Sequence, residues 1–170
     1  MLKRLLIVSL AMGLWSASDN ARAAETLDLR SDNVVLVWQN INEILLVLSA
    51  NIAMDDEWIE GLRNLQPDEG ATDFNVEMSA FHEKLNKLLS SSGLDNLPQA
   101  TPPETISEQY VSSGTMLDHL VYYLIDSDSL ATVAIYYGGE APQDSSTGDI
   151  VAQINLANQR IDAFFEENGL

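Results

Sequence analysis

Apolar side chains recur along much of this chain at the three- and four-residue spacing of an amphipathic helix. The first stripe predicts a helix near 31–53 and consists of Val34, Trp38, Ile41, Leu45, Leu48 and Ile52. The second predicts a helix near 73–91, ended by Gly93, and consists of Phe74, Met78, Phe81, Leu85 and Leu88. Each stripe lies on one side of its helix and therefore needs a partner surface.

Two more stripes follow in the second half of the chain. The third helix is predicted to begin at Thr101-Pro102-Pro103-Glu104, with Thr101 as N-cap and Glu104 completing a capping box. Its stripe contains Ile106, Tyr110, Ser113, Leu117, Leu120 and Leu124. The fourth stripe contains Ile150, Ile154, Ala157, Ile161, Phe164 and Phe165.

Short extra helices are predicted in two connections. Acidic residues at 55–57 suit the first turn of a helix near 55–65, because the helix dipole attracts negative charge there. The segment 130–137 is rich in β-branched and aromatic residues, but a single strand would have no strand to pair with, so a helix is favoured. The predicted fold is all-α: an antiparallel up-down-up-down four-helix bundle over 24–170, with short extra helices.

The N-terminal segment has the order of a secretory signal peptide. Lys3 and Arg4 precede an apolar stretch from Leu5 to Trp15, and Ala21-Arg22-Ala23 offers a small-x-small cleavage site after Ala23. This stretch of 11 residues is too short to cross a bilayer as a stable helix, for which about 20 residues are needed. The sequence therefore predicts cleavage of 1–23 and export, most simply to a bacterial periplasm.

Composition removes several classes of function. The chain has 26 acidic and 8 basic residues, a formal charge of −18, so neither nucleic acid nor an anionic membrane surface is expected as a partner. Cleavage after Ala23 would leave 25 acidic and 5 basic residues. The chain has no cysteine, which excludes disulfides, thiolate metal sites and cysteine nucleophiles.

Three short motifs resemble the cytochrome b562 family. They are Asp28-Leu29 with Asp32-Asn33 and the later Asn40-Ile41, then Ala100-Thr101-Pro102-Pro103, and finally Arg160 with Ala163-Phe164-Phe165. The resemblance implies an exported four-helix bundle that holds a b-type haem between a methionine of its first helix and a histidine of its fourth.

The family's axial positions fall on Val34 and on Phe165, or on Phe164 with a slip of one residue. Valine and phenylalanine offer no lone pair to iron, so the chain is expected to be haem-free. The alternative is a haem b electron carrier with Met78 and His82 as substitute ligands. A boundary histidine beside a core methionine is the simpler interpretation of that pair. The other mature-chain histidine, His119, falls on the polar side of its helix and is expected to be solvated.

Catalytic and metal-binding signals in the sequence are weak. His82-Glu83 and Asp118-His119 lack the Glu-x-x-His spacing of di-iron bundles, and no Gly-x-Ser-x-Gly motif is present. The chain is therefore predicted not to be an enzyme and to hold no metal.

Apolar residues away from the first stripe suggest a contact surface. Leu36, Leu46 and Val47 point away from the predicted core, so they form a candidate interface for an unknown protein partner or a second copy of the chain. The alternative is that the 55–65 segment folds back over them. The predicted function is a haem-free binding or interaction module.

Overall fold

The computed structural model describes residues 29–52, 55–99, 101–126 and 140–170. Within them lie α1 (Ser31–Ile52), α2 (Asp56–Arg63), α3 (Phe74–Ser91), α4 (Ile106–Asp126) and α5 (Thr147–Asn168), and these residues contain no strand. The all-α prediction and the positions of the four main helices are confirmed. The predicted signal peptide, its cleavage site and the 130–137 helix lie outside the described residues.

The four long helices bury their stripes in one core. Trp38 of α1 and Phe81 of α3 are fully buried and meet edge to face, with ring centroids 5.0 Å apart. The indole Nε1–H of Trp38 donates to the hydroxyl of Ser113 on α4 at 2.9 Å, which gives this buried polar group a partner. One aromatic pair therefore links three helices at a single level of the core.

Helix α1 is the most apolar of the described helices. By length and composition it could cross a membrane, with a mean hydropathy of 1.3 over its most apolar 18 residues, and half of that window is buried in this structure. Its buried side chains contact α4 and α5 in the common core. A core helix of a soluble protein has the same composition, so the helix does not by itself indicate a membrane.

Hydrogen bonds establish that α1 and α5 run in the same direction. The carboxylate of Asp32, near the start of α1, accepts from the backbone N–H of Ser145, just before α5, at 2.7 Å. Further along both helices, the side-chain amide of Asn42 donates to the backbone carbonyl of Gln153 at 3.0 Å. Residue numbers rise together along the interface, which is the pattern of parallel helices.

Helices α3 and α5 are parallel for the same reason. The carboxylate of Glu77 accepts from the amide of Asn158 at 2.9 Å. Lys84 pairs with Asp162 at 2.7 Å, one turn further along α5 and two turns further along α3. Near the ends of both helices the ammonium of Lys87 lies 4.7 Å from the ring centroid of Phe165. Three contacts at rising positions fix the direction.

The predicted antiparallel up-down-up-down order is therefore wrong for α1, α3 and α5. The prediction assumed connections short enough to force neighbouring helices to alternate. The chain between successive long helices, 53–73, 92–105 and 127–146, has in each case enough residues to span the length of a 22-residue helix.

The first connection runs back along α5 after α2 ends. After α2 the chain passes Arg160, whose Nε–H donates to the carbonyl of Leu62 at 3.2 Å. It then passes Gln159, which donates to the carbonyl of Gln66 at 3.1 Å, and Asn155, which accepts from the N–H of Asp68 at 2.9 Å. Residue numbers fall on α5 as they rise on the connection, so α3 begins at the same end as α5.

Helix α2 covers part of the proposed interface. Leu46 is only 8% exposed and forms a second apolar cluster with Ile59 and Leu62 of α2. Val47 packs partly buried against the main core, and Leu36 is half-buried. The structure thus shows the covering segment that the sequence analysis offered as the alternative, and Leu46 is not available to a partner.

Spin labels can test the parallel order of α3 and α5. Because the chain has no cysteine, Asn75→Cys with Asp149→Cys, or Asn75→Cys with Glu167→Cys, places two labels at chosen exposed sites. Residues 149 and 167 are about 27 Å apart along α5 at 1.5 Å per residue. Double electron–electron resonance should give the shorter distance for the 75–149 pair. The shorter distance for 75–167 would mean that the helices are antiparallel.

The bond between Trp38 and Ser113 should be measurable in stability. Ser113→Ala leaves the indole N–H buried without an acceptor and should lower the free energy of unfolding by about 1–3 kcal/mol. Ser107→Ala, on an exposed position of the same helix, is the matched control and should change it by less than about 0.5 kcal/mol. Equal effects of the two changes in urea titrations would contradict the buried-bond assignment.

Candidate functional site

The second connection forms one wall of a cleft against α4. We call residues 94–99 and 101–104 the return segment, because their contacts run back along α3. Ser90 donates through its hydroxyl to the side-chain carbonyl of Asn96 at 2.7 Å, near the end of α3. Asn86, one turn earlier, accepts from the N–H of Leu97 at 2.7 Å. The segment is thus held to the helix that precedes it.

The turn that starts the return is a Schellman motif at the end of α3. Gly93 has a positive φ of 72°, its N–H donates to the carbonyl of Ser90, and the N–H of Leu94 donates to that of Leu89. The predicted stop at Gly93 is confirmed. Glycine is needed there because a side chain would be strained at that φ.

His82 holds the return segment at a third point. Its Nε2 lies 2.9 Å from the backbone carbonyl of Pro98, and its Nδ1 lies 3.3 Å from the side-chain nitrogen of Asn86. Since a carbonyl only accepts, Nε2 carries the ring proton, and Nδ1 accepts from the amide of Asn86. Both ring nitrogens of this half-buried histidine therefore have partners.

The other wall of the cleft is the first half of α4, which begins later than predicted. Thr105 caps it: its hydroxyl accepts from the N–H of Glu108 at 3.2 Å, and the carboxylate of Glu108 accepts from the N–H groups of Thr105 and Glu104. The prediction of Thr101 as the N-cap was wrong, because Thr105-x-x-Glu108 satisfies the same capping-box pattern four residues later. Thr101-Pro102-Pro103 instead lies in the cleft wall.

These hydrogen bonds also affect the charge of the cleft. The backbone N–H of Glu104, followed by that of Thr105 and the Thr105 hydroxyl, lowers the pKa of Glu108 below its usual value. Its carboxylate therefore remains ionised under mildly acidic conditions.

The cleft itself has a volume of about 500 Å³. Its apolar lining comes from Leu97, three prolines of the return segment, Val111 and Met116. Its polar lining comes from His82, from hydroxyls and an amide, and from the carboxylates of Glu104 and Glu108, with no lysine or arginine. A mostly apolar cleft with a few polar groups is typical of a small-molecule site.

His119 differs from His82 in both position and bonding. It is half-buried rather than fully solvated, and its Nδ1 lies 2.8 Å from the carbonyl of Thr115 on the same helix. Since that carbonyl accepts, Nδ1 carries the proton of the neutral ring. The two described histidines therefore take opposite tautomers.

The residues suggested as substitute haem ligands do not fit the two axial positions of one haem. Met78 is 3% exposed and packed in the main core, whereas His82 lines the cleft with both ring nitrogens hydrogen-bonded. The two residues lie one turn apart on one helix, so they cannot stand on opposite faces of a macrocycle. Val34 and Phe165, at the family's axial positions, are buried core residues without donor atoms.

A search of the described ranges for three or more clustered histidine, aspartate or glutamate side chains finds no group that could hold a metal ion.

Sequence reasoning missed the buried polar residues between the helices. Asn42, Asn155 and Asn158 are all less than 8% exposed, yet each lies at a helix interface and donates from its amide across it. A count of apolar positions leaves such polar residues on the solvated side of a helix. The available signal was that these asparagines fall among apolar residues on the inward side of their helices.

Comparisons of the chain with protein-family models, with curated proteins and with solved structures find no match.

The capping role of Glu108 predicts a pH-dependent change in stability. Because the folded-state pKa is lowered, the stabilisation is complete above the ordinary pKa of glutamate and is lost as pH falls through the lowered value. Glu108→Gln should therefore lower the urea midpoint at pH 7, and its difference from the parent should shrink towards pH 3. Glu83→Gln, exposed on α3, is the control. A difference that stays constant with pH would rule out the ionised cap.

Proposed function

We propose that this chain is an exported, haem-free helical protein that binds a small ligand in the cleft between the return segment and α4. We propose further that the ligand has an apolar body and a positively charged group. The observation that carries this proposal is the lining of the cleft, which combines apolar side chains with two carboxylates and contains no basic side chain.

The apolar part of the ligand is argued from the walls. Proline side chains and Met116 offer surface without hydrogen-bonding demands, and burying an alkyl or aromatic group against them removes apolar area from water. The proline-rich wall is also stiff, since proline fixes one backbone angle, so little ordering is needed on binding.

The positive group is argued from charge. Glu108 remains ionised because of its backbone hydrogen bonds, and Glu104 lies beside it in the same cleft. The formal charge of −18 on the whole chain adds a long-range attraction for cations. An anionic ligand would meet repulsion from both sources.

Export is supported by the order of the first 23 residues, with a basic start, an apolar stretch and a small-x-small site. A periplasmic protein that binds a small cationic ligand by itself needs neither a catalytic group nor a cofactor. The chain is accordingly proposed not to be an enzyme, and binding to nucleic acid or to a membrane is not part of the proposal.

The resemblance to the cytochrome b562 family favours export and a helical fold but not haem. The haem b electron carrier is the alternative function, and it would need axial ligands other than the pair Met78 and His82, which lie one turn apart on α3. An absorption spectrum after addition of haem tests it, since a Soret band at one haem per chain would favour the electron carrier.

We infer that α4 runs in the same direction as the other three long helices. Trp38, Phe81 and Ser113 meet at one level, and each lies seven residues after the first residue of its own helix. The return segment travels back along α3, which places the start of α4 at the end where α3 begins. Spin labels at Tyr122 and Glu167, both exposed, should then be closer together than labels at Ser107 and Glu167, and the reverse order would mean that α4 is antiparallel to α5.

Binding is tested with three eight-carbon probes that differ in the head group: n-octylamine, n-octanol and octanoate. Octylamine should bind roughly twofold to fivefold more tightly than octanol, the size expected for an exposed ion pair, and octanoate should bind most weakly. Titration calorimetry gives the affinities. Amide cross-peaks in ¹H–¹⁵N spectra should move for the non-proline residues of the cleft wall, Leu97, Gln99, Thr101 and Glu104, and for 107–116.

A matched pair of variants locates the site. Val111→Lys places a positive charge in the cleft and should weaken octylamine binding, whereas Val76→Lys places it on α3 outside the cleft lining and should not. Both valines are 62% exposed, so both changes should leave the fold intact. Octanoate binding as tightly as octylamine, or equal effects of the two variants, would contradict the proposal.

A further inference from the structure

Four groups form a continuous hydrogen-bond chain that joins α3 to the wall of the cleft. The N–H of Leu97 donates to Oδ1 of Asn86 at 2.7 Å, Nδ2 of Asn86 donates to Nδ1 of His82 at 3.3 Å, and Nε2 of His82 donates to the carbonyl of Pro98 at 2.9 Å. Leu97 and Pro98 both line the cleft. These hydrogen bonds therefore hold the wall of the cleft at two successive residues.

Each donor in this chain fixes the next acceptor. A backbone N–H can only donate, so it fixes Oδ1 of Asn86 towards Leu97 and turns the amide nitrogen towards His82. The amide nitrogen can only donate, so Nδ1 of His82 must lack a proton. The three hydrogen bonds can all be present only while the imidazole of His82 is neutral.

We propose that protonation of His82 breaks this chain and loosens the return-segment wall, so that the cleft opens in mild acid. A proton on Nδ1 would face the amide nitrogen of Asn86, donor against donor. Rotating the amide to accept that proton would turn its nitrogen towards the N–H of Leu97 and break the bond there. The first arrangement loses the bond between Asn86 and His82, and the second loses the bond that holds Leu97 of the wall to Asn86.

The titratable groups that line the cleft with His82 are acidic. They are Glu104 of the return segment and Glu108 of α4, and Glu83 follows His82 on α3. All three are carboxylates, and no lysine or arginine lines the cleft. Histidine is also the side chain that ordinarily changes charge between pH 5 and 8.

His119 provides an internal contrast. Its Nδ1 donates to the carbonyl of Thr115, and protonation adds a proton at Nε2, which leaves that bond in place. Acid should therefore disturb the surroundings of His82 and not those of His119.

The test follows the amide of Leu97 by hydrogen exchange in the ¹⁵N-labelled protein at pH 7.5 and pH 5. The protection factor, taken relative to the intrinsic rate at each pH, should fall roughly fivefold to tenfold on acidification, as expected for one hydrogen bond. The amide of Ile154, in the buried centre of α5, should keep its protection. Ring ¹⁵N shifts at pH 7.5 should identify the Nε2–H tautomer for His82 and the Nδ1–H tautomer for His119.

Two variants of the chain make the test specific. His82→Gln retains an amide donor for Pro98 and an acceptor for Asn86 but cannot be protonated, so the effect of acid on Leu97 should disappear. Asn86→Asp provides a carboxylate that accepts from both Leu97 and a protonated His82, so protection should persist at pH 5. His119→Gln, the matched control, should behave like the parent protein.

The inference would be overturned by an Nδ1–H tautomer at His82, by Leu97 protection that does not change with pH, or by a change that survives in His82→Gln. The pH-dependent opening rests on the proposed function only in that the opened cleft is taken to be a ligand site. The proposed ligand and the opening can therefore be disproved separately. Octylamine stays charged at both pH values, so its affinity reports on the protein. Loss of Leu97 protection in acid without octylamine binding at either pH would remove the proposed ligand and keep the switch.

Discussion

The fold depends on giving hydrogen-bond partners to backbone that must run back along the helices. Parallel helices cannot be joined by tight turns, so the described parts of the first two connections run back along α5 and α3 and carry N–H and C=O groups that no helix satisfies. A buried backbone polar group without a partner costs free energy comparable to a lost hydrogen bond. Side chains of α5 and α3 supply those partners, chiefly Asn155, Gln159 and Arg160 for the first connection and Asn86 and His82 for the second.

The same requirement explains a buried arginine. Arg160 is 5% exposed, and burial lowers its pKa while the negative charge of Glu43 opposes that shift. A buried guanidinium is costly unless it is paired and hydrogen-bonded. Its bond to the carbonyl of Leu62 places it where α2 ends and the chain turns back, so the guanidinium gives a partner to the backbone of the connection. Asp32 likewise gives a partner to connecting backbone, because its carboxylate accepts from the N–H of Ser145 just before α5. This hydrogen bond lowers the pKa of the Asp32 carboxyl.

The apolar pattern predicted helix positions well because burial decides them locally. Stripe residues such as Leu45, Phe81 and Ile161 are fully buried, and the ends of the helices fall within a few residues of those predicted. Helix direction could not be predicted in this way, since an amphipathic stripe is the same whichever way the helix points. Direction is fixed by polar contacts such as Lys84 with Asp162, whose partners lie 78 residues apart in sequence.

The candidate site was accessible from the sequence only in pieces. His82 was noticed because histidine is a ligand type, and Thr101-Pro102-Pro103 because it resembles a helix start, yet nothing in their spacing shows that they share a cleft. Asn86, which determines the tautomer of His82, received no attention because a single asparagine near the end of a helix carries no pattern. Its role appears only when the return segment brings the N–H of Leu97 against it. In this chain the chemistry of a side chain is therefore set less by its neighbours in sequence than by which connection runs past it.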